Sequence, residues 1–152
     1  QYLLIRTADC YPVILMDNRI NVIAALHCGR EGTRKNIVGE AIRIMNSQMY
    51  CHLNDIIAIV GAGICHNHYE VSQELYDEFN KSIVSQGLEP VLTKNRHIDL
   101  RKTLNAQLLK AGIPEINIEH INDCTFESSC YHSYRREKTN NRQINIVGII
   151  HG

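Results

Sequence analysis

The sequence carries no excess charge of either sign, because 16 Lys and Arg are balanced by 16 Asp and Glu. That balance offers no electrostatic footprint for nucleic acid or for an anionic membrane surface. No apolar run reaches the roughly 18–20 residues that span a bilayer. The basic-then-apolar opening of a signal peptide is missing, as are repeats, low-complexity tracts and linkers. There is no C-x-x-C pair, which removes the zinc-ribbon and thioredoxin-type readings. What is left is 152 residues, 44% hydrophobic and 21% charged, the mix of a single ordinary globular domain over 1–152. Its 6 cysteines read as reduced thiols of a cytoplasmic protein, since the strand and helix patterning supports a proper core without a disulfide scaffold. The opening Gln1-Tyr2-Leu3-Leu4-Ile5 has the composition of a strand interior, and the expectation is a domain incomplete at its N-terminus.

Hydrophobic periodicity predicts strands at Tyr2–Arg6, Val13–Asp17 and Asn21–His27, with a turn at Asp17-Asn18-Arg19. A helix is predicted from Thr33, as N-cap, to Tyr50, with Ile37, Ala41, Ile44, Met45 and Met49 on one face. Asp55–Val60 reads as a buried strand, Glu70–Ser85 as a second helix stopped by Gly87, and Asp99–Lys110 as a third, capped by Asp99. Strands at Ile116–His120 and Gln143–Ile150 complete the chain, with a polar stretch, Asp123 to Arg142, between them. Helices and strands interleave while early neighbours look like hairpins, so the expected fold class is α/β with mixed sheets.

The chemistry concentrates in Thr7-Ala8-Asp9-Cys10 and His27-Cys28-Gly29-Arg30-Glu31-Gly32. A hairpin turning near residue 18 or 19 returns Cys10 and His27 to the same end of the sheet. Thiolate and imidazole side by side suit two chemistries: they hold zinc, or His activates Cys as a nucleophile. Gly29 and Gly32 before a helix offer free backbone N–H groups to an anion. Asp9 is placed to serve as an acceptor beside the ligand or as a proton carrier. Cys65, His66 and His68 form one further group that could bind metal, with a solvated loop the expectation, and Cys124, Cys130 and His132 another, for which structural roles are the expectation.

Thr7-Ala8-Asp9-Cys10-Tyr11-Pro12-Val13, His27-x-Gly29-x-x-Gly32, Gly61-x-x-Ile64 followed by Tyr69-Glu70-Val71, Asp99-Leu100, Cys124-Thr125 and Ser133-Tyr134-Arg135-Arg136 occur in one register along nearly the whole chain. Together they resemble the YfiH-like family of laccase-domain proteins, also called polyphenol oxidases and purine nucleoside phosphorylases. The resemblance implies a four-layer α/β/β/α sandwich and a zinc held by His, Cys and His. Cys10 and His27 match two of those ligands; the family's other His lies upstream, in a segment this sequence does not contain. It further implies phosphorolysis of adenosine, inosine and methylthioadenosine, some adenosine deaminase activity, and purine nucleosides and phosphate as partners. Cys10, His27 and Asp9 are then the candidate catalytic residues, and Gly29 and Arg30 the candidate substrate-binding ones. The chain departs from the family's HAGWRG, since Arg30 stands at the Trp position and Glu31 at the basic one. It also lacks both prolines of GPAIGP, reading Gly61-Ala62-Gly63-Ile64-Cys65-His66.

A metal-free Cys-His hydrolase using Cys10 and His27 is the first alternative, and a binding domain with a structural zinc is another. Copper-dependent polyphenol oxidation is a third; it calls for clustered histidines, and His66-Asn67-His68 is a lone H-x-H element.

Overall fold

Alternation along one strand decides which side of the molecule becomes the interior. The computed structural model describes residues 1–150. In β2 (Tyr11–Asp17), Tyr11, Val13 and Leu15 point one way and are fully buried, while Ile14 and Met16 face the other way. β3 (Val22–Cys28) pairs antiparallel with β2, Pro12 opposite His27 and Tyr11 opposite Cys28. β4 (Ile57–Val60) runs antiparallel along the other edge of β2, setting Val13 against Val60 and Leu15 against Ala58. β5 (Ile118–His120) joins β4 in parallel, giving a four-stranded mixed sheet of order β3-β2-β4-β5. A second, two-stranded antiparallel sheet pairs β1 (Tyr2–Thr7) with β6 (Gln143–Gly148). Ile14, Met16 and Ile59 of the larger sheet and Ile146 of the smaller line a shared cleft of about 240 Å³.

The helices cover the Val13–Leu15 side. After β3 come α1 (Arg30–Arg34) and α2 (Ile37–Gln48), then α3 (Gln73–Ser85) and α4 (Leu100–Lys110). Val38, Ile42 and Met45 of α2, Phe79 and Ile83 of α3, and Leu104 and Leu108 of α4 join Val13, Leu15, Ala58 and Val60 in one core. Each such side chain contributes about 1.5–3 kcal/mol by leaving water. Ser72 Oγ accepts from Leu75 N at the start of α3, and Asp99 Oδ1 accepts from Lys102 N at the start of α4. Each cap contributes about 1 kcal/mol.

The α/β fold of two sheets with mixed strand orientations and helices is thus the expected one, but two local expectations fail. The helix from Thr33 to Tyr50 is broken. Thr33 is buried inside α1 rather than capping it, and the chain turns at Asn36, held in the left-handed region at φ 58°, ψ 48°. Asn36 Oδ1 then accepts from Gly39 N at 3.2 Å and caps α2. In the polar stretch before β6, α5 (Tyr134–Glu137) forms one helical turn, with Ser133 Oγ accepting from Arg136 N.

Candidate active-site cavity

A cavity of about 510 Å³ opens where β1 leads into β2 and β3 ends. Asp9, Cys10 and His27 all line it. The β2–β3 register explains the placement. With Pro12 opposite His27, the imidazole is placed near the start of β2, on the cavity that Cys10 also lines. Alternation sends the neighbouring Cys28 inward, fully buried, and leaves His27 exposed. Gly29 is required by closeness. A Cβ there would stand 2.9 Å from Cys10 Sγ, so the thiol rests directly on the glycine backbone.

Asp9 shapes the entrance to β2. It adopts φ 84°, a left-handed conformation that costs a non-glycine residue energy and persists only when neighbours hold it. Three contacts do so. Its carbonyl accepts from Ile64 N at 2.8 Å, Oδ1 accepts from Thr125 Oγ1 at 2.8 Å, and Oδ2 accepts from Arg135 N at 2.7 Å. Both carboxylate oxygens are therefore engaged in joining the cavity rim to the segments at 125 and 135.

The remaining wall is basic and aromatic: Arg135, Lys138 and Arg142 with Tyr69 and Tyr134. Arg135 lies over the Tyr69 ring at 5.4 Å, while Lys138 and Arg142 lie over the Tyr134 ring at 5.3 and 5.7 Å. Ring faces attract cations and so hold these charges at the cavity wall. Arg136, next in the run, serves elsewhere. Its guanidinium donates to the carbonyls of Thr125, Phe126, Ser128 and Tyr131 and pins that loop. None of these five lining residues follows from the spacing arguments of the sequence; the Tyr134-Arg135-Arg136 run was the available signal.

Gly29 and Arg30 stand beside the lining rather than in it. Arg30 Nη2 lies 3.4 Å from Glu31, which is held more tightly by Arg34 at 2.9 Å. Arg30 Nη1 is buried without a partner, and the charge of Arg30 acts on Tyr69 across the wall.

Burial pushes the Cys10 thiol above its ordinary pKa of 9.0, and the Asp9 carboxylate adds to this, while Arg142 opposes it. Cys28 beneath is pushed up to about 12, chiefly by burial. Burial also raises Tyr69. No hydrogen bond joins Cys10 to His27 among the described residues.

Thiolate and imidazole are donor types that zinc takes. Cys10 and His27 thus fit two of the three protein positions of a catalytic zinc site. Asp9, the other donor residue in the lining, has its oxygens committed to Thr125 and Arg135.

The second set of donors is rearranged relative to expectation. His66 turns to Asp99, with Nδ1 3.6 Å from Oδ2, and His132 lies 3.7 Å from Glu137. Cys65 instead meets Cys124 and Glu127, and His68 Nε2 lies 2.9 Å from Glu127 Oε1. Burial and its neighbours Cys124 and Glu127 push the Cys65 thiol up to about 12.

Comparison with known proteins bears on this cavity. The family model described as multi-copper polyphenol oxidoreductase laccase matches residues 1–150. A purine nucleoside phosphorylase of Campylobacter jejuni is 32% identical over 146 residues, covering 95% of this chain and 61% of that protein. One of Bacteroides thetaiotaomicron is 32% identical over 127 residues, 82% of this chain and 47% of the relative. An adenosine deaminase of an unknown prokaryotic organism is 32% identical over 134 residues, 85% of this chain and 49% of the relative. The crystal structure of the hypothetical protein YfiH of Bacillus licheniformis superposes with a TM-score of 0.88 at 25% identity, covering 98% of this chain and 58% of that one. The chain therefore spans roughly half the length of the curated relatives it matches.

Proposed function

Because the chain belongs to the multi-copper polyphenol oxidoreductase laccase family, the YfiH-like laccase-domain proteins, we propose that its cavity carries out zinc-dependent purine nucleoside phosphorolysis. Adenosine, inosine and methylthioadenosine are the proposed nucleosides, with deamination of adenosine as a side activity. The observation that carries this reading is the joint lining: a Cys-His donor pair facing three cationic side chains and two tyrosines in one cavity. Among the described residues, no helix is long and apolar enough to cross a membrane; a cytoplasmic setting remains part of the proposal.

In phosphorolysis a phosphate oxygen bonds to the ribose C1′ as the C1′–N9 bond breaks. The bonding pair leaves with the purine, which takes up a proton, and the products are ribose 1-phosphate and free base. Arg135, Lys138 and Arg142 supply fixed positive charge for the phosphate, already placed by the tyrosine rings before substrate arrives. Tyr69 and Tyr134 present apolar ring surface to the nucleoside. Asp9 acts as a positioning residue: its carboxylate fixes the Arg135 backbone, and through it where the guanidinium stands. Gly29 lets the Cys10 thiol approach the donor position, and Arg30, with a buried unpartnered nitrogen, adds charge from behind Tyr69. A zinc held by Cys10 Sγ and the His27 imidazole, with one further donor, would supply Lewis acidity toward an oxygen ligand.

The alternatives fit this wall less well. A metal-free Cys-His hydrolase leaves the three cationic side chains and two tyrosines of the same lining without a role. Copper oxidation needs clustered imidazoles, yet His66, His68, His120 and His132 turn to four different partners.

The test is release of hypoxanthine from inosine by the zinc-loaded chain as phosphate is varied. The expected result is a rate that vanishes without phosphate, saturates with it, and is lost in Cys10→Ala and His27→Ala variants that keep the wild-type unfolding midpoint. Base release independent of phosphate, or retained in both variants, overturns the proposal.

A further inference from the structure

On the far side of the segments that hold Asp9, a second group of donors converges. The sulfurs of Cys65 and Cys124 and a carboxylate oxygen of Glu127 lie within 4.8 Å of one another. Among the described residues, no other three His, Cys, Asp or Glu ligand atoms come so close. The two thiols are 59 positions apart in sequence, and the backbone brings them together. Gly63 and Cys124 form a parallel bridge, Thr125 N donates to Gly63 O at 3.1 Å, and Cys65 N donates to Cys124 Sγ at 3.2 Å. Neither thiol is in a disulfide.

Glu127 is oriented as well. Oε1 stands 3.5 Å from Cys65 Sγ and 2.9 Å from His68 Nε2, and the His68 ring stacks on Phe126 with centroids 4.2 Å apart. Ligating carboxylates are in turn held by hydrogen bonds, and His68 is placed to hold Glu127. Bond lengths of about 2.3 Å to sulfur and 2.0–2.2 Å to oxygen put tetrahedral ligand atoms roughly 3.6–3.8 Å apart. No pair is more than 4.8 Å apart and Glu127 already stands 3.5 Å from Cys65 Sγ, so the cluster must contract by about 1.2 Å at most.

We propose that Cys65, Cys124 and Glu127 bind a zinc-class divalent cation, with His68 orienting Glu127, as a site separate from Cys10 and His27. Two thiolates with an oxygen donor select a thiophilic tetrahedral ion over magnesium or calcium. Its role is mechanical. The ion ties the 64–65 segment to the 124–127 segment, and each of these holds Asp9, through Ile64 N and Thr125 Oγ1.

The test uses the whole chain carrying Cys10→Ala, reduced, titrated with cobalt(II) and then zinc, so that no signal arises at Cys10. The expected result is a thiolate-to-cobalt charge-transfer band that zinc abolishes at a single equivalent. Adding Cys65→Ser removes the band, and Glu127→Gln, an exposed change that leaves the fold intact, weakens binding. His68→Ala weakens binding by roughly 10- to 100-fold, and Cys130→Ser leaves it unchanged. No band in the folded Cys10→Ala protein, a band insensitive to both Cys65→Ser and Glu127→Gln, or a Cys65–Cys124 disulfide in protein kept reduced overturns the proposal.

Discussion

Replacing Asp9 by Ala removes two hydrogen bonds that converge on one buried carboxylate, from Thr125 Oγ1 at 2.8 Å and Arg135 N at 2.7 Å. Hydrogen bonds to a charged group contribute about 1.5–3 kcal/mol each, and the two donors are left behind without partners. The expected loss is therefore about 3–6 kcal/mol, large against the roughly 5–15 kcal/mol that holds a domain folded. Asn at the same position tolerates the left-handed backbone and keeps one acceptor oxygen. Its amide must present N–H to one of the two donors, so the expected loss is about 1–2 kcal/mol. Urea unfolding at constant pH reads both values from the midpoint and slope. Combining Asp9→Ala with Thr125→Val should show coupling of about 1.5 kcal/mol. An Asp9→Ala protein within about 0.5 kcal/mol of the wild type, or additivity within about 0.3–0.5 kcal/mol in that cycle, refutes the reasoning that Asp9 joins the cavity rim to the two later segments.

The other expectations are more local. A Cβ on Gly63 would stand 2.6 Å from the buried Tyr11 ring, whose hydroxyl donates to Ile64 O at 2.9 Å, so Gly63→Ala should cost roughly 1–3 kcal/mol in thermal unfolding. Leu104→Ala empties a fully buried position of α4 and should cost about 2–5 kcal/mol, measured by urea titration. Burial holds the Cys28 proton from an ordinary 9.0 up to about 12. The unfolded chain thus loses that proton first, so the contribution of this one thiol to stability should be constant below pH 9 and fall as pH rises from 9 to about 12, by about 1.4 kcal/mol per pH unit. Guanidinium midpoints across that window check the sign, and Cys28→Ala should flatten the slope.

The sequence made the strand pair around Asp17-Asn18-Arg19 legible because side-chain period and turn chemistry are both local. Counting from that turn sets Cys10 face to face with His27, but the strands pair His27 with Pro12 instead, because local turn chemistry does not settle the register to within two residues. Asp99 was legible as a cap because its carboxylate lies next to the helix it starts. The break at Asn36 was not, because the apolar face of Ile37, Ala41 and Ile44 is unaffected by where the helix begins, and Thr33 has the composition of a cap. Only packing shows that Thr33 is buried. The pairing of β1 with β6 spans almost the whole chain, and no local signal fixes such a partner. Half of the cavity comes from Tyr69 and the 134–142 segment, which reach Cys10 through that long-range pairing. The encounter of Cys65 with Cys124 has the same origin, since the Gly63–Cys124 bridge and not any spacing rule brings them together.

The central claim is that phosphate itself is the nucleophile in the cavity of Cys10, His27 and Arg135. Phosphorus NMR of the zinc-loaded chain with inosine and inorganic phosphate tests it most directly. The account predicts a new phosphate-ester resonance from ribose 1-phosphate, growing in step with hypoxanthine and absent from a folded Cys10→Ala protein. Hypoxanthine formed without any phosphate ester, or an ester that grows undiminished in Cys10→Ala, contradicts it.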